Sequence, residues 1–249
     1  MTRVGIVLLA ALLAACSTAP AATSSFPVPR ARTPTLFITT PAPTSSPAPA
    51  PAFRYVAMGA SDAVGVGATD PAAGSWPARI AARLPAGTDY VNLGVAGSLA
   101  AQAAREQSPR AVALRPQLVT IWLAVNDLNA SVSPTDYVAA LHAVIDPLVS
   151  GTPARVFVGT VPDLRSVPAY EGTDRAELLA RITAYNAAIA SIAAGSASRV
   201  TAVDLFSGSG PLVSAMTVSA DGFHPSDAGY ALIADRFATA IAASGIALR

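Results

Sequence analysis

The chain has 249 residues, a formal net charge of +1, 52% apolar residues and 12% charged ones. That balance excludes an intrinsically disordered chain, and the lack of any run of Lys or Arg excludes a nucleic-acid partner on electrostatic grounds. The single cysteine, Cys16, excludes an intramolecular disulfide and a multi-cysteine metal site, and His142 and His224 are the two sources of imidazole.

In chain order, Arg3 precedes a continuous apolar stretch over residues 4–15, too short to span a bilayer, which takes roughly 20 residues. The stretch ends Leu13-Ala14-Ala15-Cys16, which resembles the bacterial lipoprotein lipobox. The resemblance implies a signal peptide over residues 1–16, lipidation of Cys16, and a secreted protein held at the extracytoplasmic face of the cell membrane. Residues 17–52 are rich in Pro, Ala, Thr and Ser, as in Pro47-Ala48-Pro49-Ala50-Pro51. Such a segment buries no core and reads as a disordered, semi-rigid spacer.

The globular part is expected over residues 53–249. Short β-prone runs fall at 54–58, 90–93, 118–123, 155–159 and 200–203. Helix-compatible stretches fall at 76–84, 99–107, 134–149, 174–194 and 226–244. Strand–helix alternation predicts a parallel sheet with helices on both faces, and near-continuous apolar strands suit a sheet covered on both sides. His142 lies at the edge of a helical apolar stripe and is expected to be structural, as are Asp127 and Asp204.

Ligands of such sheets bind beyond the carboxyl ends of the strands. After the first run comes Gly59-Ala60-Ser61-Asp62, after the second Gly94-Val95-Ala96-Gly97, and after the third Ala124-Val125-Asn126-Asp127. Just before the last helix stands Asp221-Gly222-Phe223-His224. A serine hydroxyl barely ionises at neutral pH and needs a base, and the three-residue spacing lets Asp221 hold one ring nitrogen of His224. The pattern Gly-x-Ser-x-Gly is absent around Ser61, which argues against the α/β-hydrolase elbow.

Together, in this order, the four blocks resemble the SGNH (GDSL) hydrolase superfamily over the whole of residues 53–249. The resemblance implies a flavodoxin-like three-layer α/β/α fold with five parallel strands in the order 2-1-3-4-5. It implies a serine esterase with Ser61, Asp221 and His224 catalytic, and with Ser61, Gly94 and Asn126 forming the oxyanion hole. No cofactor and no metal are implied. Two positions depart from the family pattern: Ala60 stands where an Asp usually precedes the nucleophile, and Ala124 stands at the first Gly of the Gly-x-Asn-Asp block. The expected substrate is a small-molecule, glycan or lipid ester; the short chain mildly favours small acyl groups or an open cleft. A monomer is expected, with the membrane contacted through Cys16. An acyltransferase on the same scaffold and a catalytically silent glycan- or peptide-binding lipoprotein are the rival functions.

Overall fold

The computed structural model describes residues 53–249; residues 1–16 with Cys16 and the spacer 17–52 lie outside the described residues. The sheet is built from β1 (Arg54–Gly59), β2 (Asp89–Asn92), β3 (Leu118–Trp122), β4 (Arg155–Gly159) and β5 (Val200–Val203). All pairs are parallel, in the order β2-β1-β3-β4-β5. This is the expected α/β fold, and each strand lies within a residue or two of its predicted place.

The period-two alternation of the strands sorts the core into two layers. Val56 and Met58 of β1, Val119 and Ile121 of β3, and Val156 and Val158 of β4 face one side. There they meet α4 (Ala100–Glu106), α5 (Ser108–Leu114), α7 (Pro134–Gly151) and α8 (Arg175–Gly195). Tyr55, Ala57, Leu118, Trp122 and Phe157 face the other side, against α3 (Trp76–Ala81) and α9 (Asp227–Ala243). Buried Thr120 also points there, and its hydroxyl is satisfied by Tyr55 Oη at 2.7 Å.

The long helices start where the chain supplies caps. Ser133 Oγ accepts the Asp136 amide ahead of α7, with Pro134 at the first turn. Asp174 accepts the amides of Ala176 and Glu177 ahead of α8, and Ser226 caps α9. Three further short helices, α1 (Ser61–Val64), α2 (Pro71–Gly74) and α6 (Val125–Asn129), carry no apolar period long enough to see in the sequence. Helix α5 also lies outside the predicted elements. Pro109 looks like a stop, yet it sits in the first turn, where its missing amide costs nothing.

Trp76 of α3, Phe237 of α9 and Trp122 of β3 lock the second layer. The Trp76 and Phe237 rings stack at 4.8 Å, and Trp76 meets Trp122 edge-on at 6.4 Å. Phe237→Ala empties a fully buried site. It is expected to lower stability by about 3–5 kcal/mol, read as a reduced midpoint in urea with an unchanged slope.

Candidate active site

The parallel register sets the carboxyl ends of β1, β2 and β3 side by side. Gly59 pairs with Trp122, and Ala57 pairs with Asn92. The chain leaves β1 at Gly59 and enters α1 at once, so Ser61 is the first helical residue and its amide has no acceptor among the described residues. The Asn126 amide stands in the first turn of α6, just past β3.

His224 reaches this edge from far along the sequence, 163 residues after Ser61. It belongs to a loop ahead of α9 with its own bracing. Ser219 N donates to His224 O at 2.8 Å, and Val218 and Pro225 form a lone antiparallel bridge. Within the loop, Asp221 Oδ1 accepts from Ser219 Oγ at 2.7 Å and from the amides of Phe223 and His224, both at 2.9 Å. Asp221 Oδ2 stands 2.6 Å from His224 Nδ1, and His224 Nε2 stands 2.9 Å from Ser61 Oγ. With Nδ1 protonated toward the carboxylate, Nε2 is left to accept the serine proton. Burial draws the Asp221 carboxyl upward, but His224, Ser219 and the two loop amides outweigh it and hold the group well below the usual carboxylate range. Asp221 therefore stays ionised beside the imidazole at any pH where the protein would work.

Two of the three expected oxyanion donors meet at this pocket. Asn126 Nδ2 donates to Ser98 O at 3.2 Å, which orients the carboxamide and leaves its second hydrogen free. Ser61, Ser98 and Asn126 all line one cavity. Gly94 does not join them and is a correction to the sequence expectation. Its amide is already spent on Asn92 Oδ1 at 2.9 Å. A glycine is needed there for packing, since a Cβ would stand 2.8 Å from that of Ala63. Three residues on, Gly97 occupies the positive-φ position of a turn closed by Ser98 N to Val95 O, at φ 77°. Its amide has no acceptor among the described residues. Glycine at that place is set by the backbone, not by crowding, because a Cβ would meet nothing within 4 Å. The positive-φ demand leaves no mark distinguishing Gly97 from Gly94 in the sequence.

A buried polar web ties these loops together, and its centre, Gln107, is not predicted by the sequence blocks. Gln107, 1% exposed, accepts the Gly59 amide at 3.1 Å and donates to Gly59 O at 3.0 Å and to Ser98 Oγ at 3.2 Å. One side chain thus couples the end of β1 to the turn carrying Gly97. Asp127 is structural, as expected: both its oxygens accept the Ala100 amide, at 3.2 and 3.1 Å. Asp204 caps its own loop through the amides of Phe206 and Ser207, and His142 pairs with Asp146 on the surface of α7.

The cavity beside Ser61 has a volume of about 140 Å³ and opens to solvent. Its walls are mainly aliphatic, with Leu164, Val167, Leu205, Val213, Leu232 and Ile233 among them. Both departures from the family pattern, Ala60 and Ala124, also face it. Among the described residues no group of three His, Cys, Asp or Glu side chains is gathered to hold a metal ion.

A family model described as GDSL-like lipase/acylhydrolase matches residues 57–232. The chain belongs to that family. This GDSL-like hydrolase is a serine ester hydrolase, and no curated protein matches it. Its fold is shared by solved structures of low identity. TesA is 22% identical, with 76% of this chain and 97% of that one covered and a TM-score of 0.59. LAE5, an alpha/beta hydrolase enzyme from the metagenome of Lake Arreo, is 20% identical over 79% of this chain and 97% of that one, with a TM-score of 0.62. A catalytic mutant of Axe2, an acetylxylan esterase from Geobacillus stearothermophilus, is 17% identical over 76% and 94%, also with a TM-score of 0.62.

Asp62 is an ionisable side chain of the cavity with no expected part. It is half-buried beside Ser61. Burial pushes its carboxyl up to about 7, against the amides of Ala63 and Ala60 and the neighbouring His224, which pull it down. The unfolded chain releases this proton at about 4. The folded chain therefore binds the extra proton between those two values, and the stability it contributes is lost as pH rises from about 4 to about 7. Asp62→Asn has no proton to lose. Its melting temperature is expected to gain on that of the wild type across this window, as followed by thermal unfolding from pH 4 to pH 8; a constant gap would refute the assignment.

Proposed function

We propose that this GDSL-like hydrolase cleaves carboxylic esters through an acyl-Ser61 intermediate, with an apolar acyl chain lodged in the aliphatic cavity. The observation that carries this reading is the unbroken hydrogen-bond relay from Asp221 through His224 to Ser61. In acylation, His224 Nε2 takes the hydroxyl proton as Ser61 Oγ forms its bond to the ester carbonyl carbon. The ionised Asp221 steadies the imidazolium and keeps the ring in the right tautomer. The developing alkoxide is received by the amides of Ser61 and Gly97 and by the free hydrogen of Asn126 Nδ2. Fixed donors of this kind contribute roughly 10²- to 10³-fold each. His224 then hands its proton to the leaving alcohol oxygen as the carbon–oxygen bond breaks. Water repeats the sequence on the acyl-enzyme and releases the acid.

The aliphatic walls favour a hydrocarbon acyl chain over acetyl alone, beyond the small groups that chain length suggested. Burying one methylene is worth about 0.8 kcal/mol, a factor of about four. On a series of p-nitrophenyl esters, kcat/KM is expected to climb by up to that factor per methylene from acetyl upward, then level off when the cavity is full. Ser61→Ala should be inert throughout, and a fluorophosphonate probe should label the wild type at Ser61 only. A second reading, a carbohydrate deacetylase, draws support from the likeness to Axe2, a protein named for acetylxylan. It predicts the reverse order, with acetyl esters and acetylated xylo-oligosaccharides the best substrates. Adding a competing alcohol separates hydrolysis from acyl transfer by product.

The sequence Leu13-Ala14-Ala15-Cys16 further supports a lipid anchor at Cys16 and a place at the cell surface. In a bacterial host, the wild-type protein is expected to incorporate a labelled fatty acid and to fractionate with membranes, and Cys16→Ser to do neither.

A further inference from the structure

We propose that Asp62 is a positioning residue for the nucleophile: one carboxylate oxygen straddles Ser61 and clamps the turn on both sides of it. Asp62 Oδ1 accepts the Ala63 amide at 2.7 Å and the Ala60 amide at 3.3 Å. Those residues bracket Ser61. With the Ala60 and Ala63 amides taken, the Ser61 amide, the one the oxyanion needs, stays without an acceptor among the described residues.

The setting suits such a clamp. The nucleophile turn is sharp, because Gly59 ends β1 and Ser61 already opens α1. Helix α1 has one turn, and its N-cap, Ala60, has no side-chain acceptor to offer. An unanchored helix start of this length is not held by its own hydrogen bonds. Ala60 is 7% exposed and lines the cavity, and the position before the nucleophile carries no carboxylate. Asp62 supplies one a residue later. Above about pH 7, where the carboxyl is ionised, its charge strengthens both hydrogen bonds over what a neutral acceptor provides. Its other oxygen, Oδ2, has no protein partner among the described residues, and Asp62 lines the cavity. Burial there raises the carboxyl, as described above, so the residue costs stability at neutral pH. A group that destabilises the fold and pins the backbone around the reactive hydroxyl fits a catalytic need better than a structural one.

The proposal rests on Ser61 as nucleophile and is tested by comparing Asp62→Asn with Asp62→Ala. Asparagine keeps a neutral Oδ1 acceptor; alanine removes it. Misplacing a reacting group by about 1 Å can cost about 10²-fold. We expect kcat to fall about threefold in Asp62→Asn and about thirtyfold in Asp62→Ala, with KM moving less than about twofold in both. Labelling of Ser61 by a fluorophosphonate should slow in the same ratio. Amide hydrogen exchange at Ala63 provides a readout independent of turnover. Protection should persist in Asp62→Asn, and this comparison stands even if Asp62→Ala fails to fold. Equal losses in the two variants, a loss confined to KM, or an Ala63 amide unprotected in the wild type would each overturn the clamp. A wild type inert toward the probe would overturn the nucleophile assignment itself, whereas an active wild type matched by Asp62→Ala would overturn the clamp alone.

Discussion

The site depends on the parallel pairing of β1 with β3. Gly59 lies opposite Trp122, so the nucleophile turn and the loop of Asn126 leave the sheet at one level. A slip of one residue in that register would turn every side chain of β1 to the other face. Tyr55 and Ala57 would then enter the layer that Val56 and Met58 now fill. The two layers differ in what they hold, aromatic rings on one side and mainly aliphatic side chains on the other. The hydrophobic core thereby holds the catalytic edge in alignment, and Gln107 adds the polar cross-link from β1 to the turn of Gly97.

Strands and long helices were legible because their signals are periodic and local. The apolar runs at β3 and β4 can be read without knowing what they pack against. The triad was legible for a different reason: Ser61, Asp221 and His224 stand in short blocks at predictable strand ends. What escaped were features defined by three-dimensional neighbours. Helix α5 escaped because proline in a first turn looks like a break. The Gly94 assignment failed because two glycines share one loop. Only the structure shows which amide is spent on Asn92 Oδ1 and which is free. Gln107 escaped because a glutamine in a helix reads as solvent-facing until the fold buries it.

Asp62 illustrates a tension that runs through the site. A buried carboxyl with a raised proton affinity lowers the stability of the domain at neutral pH. Asp221, linked to Ser61 through His224, works in the opposite direction, since its carboxylate is stabilised in the folded state. On the proposed mechanism both groups serve Ser61, one through the imidazole and one through the backbone. The aliphatic cavity that Asp62 lines supplies the low dielectric that raises its carboxyl.

Base and orienting acid ride on one short, self-braced loop, so their mutual geometry survives small distortions elsewhere in the molecule. Heating, a distant substitution or slight drift of α9 reaches the reaction through a single coordinate, the approach of that loop to the serine. The domain's tolerance of sequence change should therefore be anisotropic: generous wherever the loop is carried as a rigid passenger, and narrow wherever a change alters how it docks.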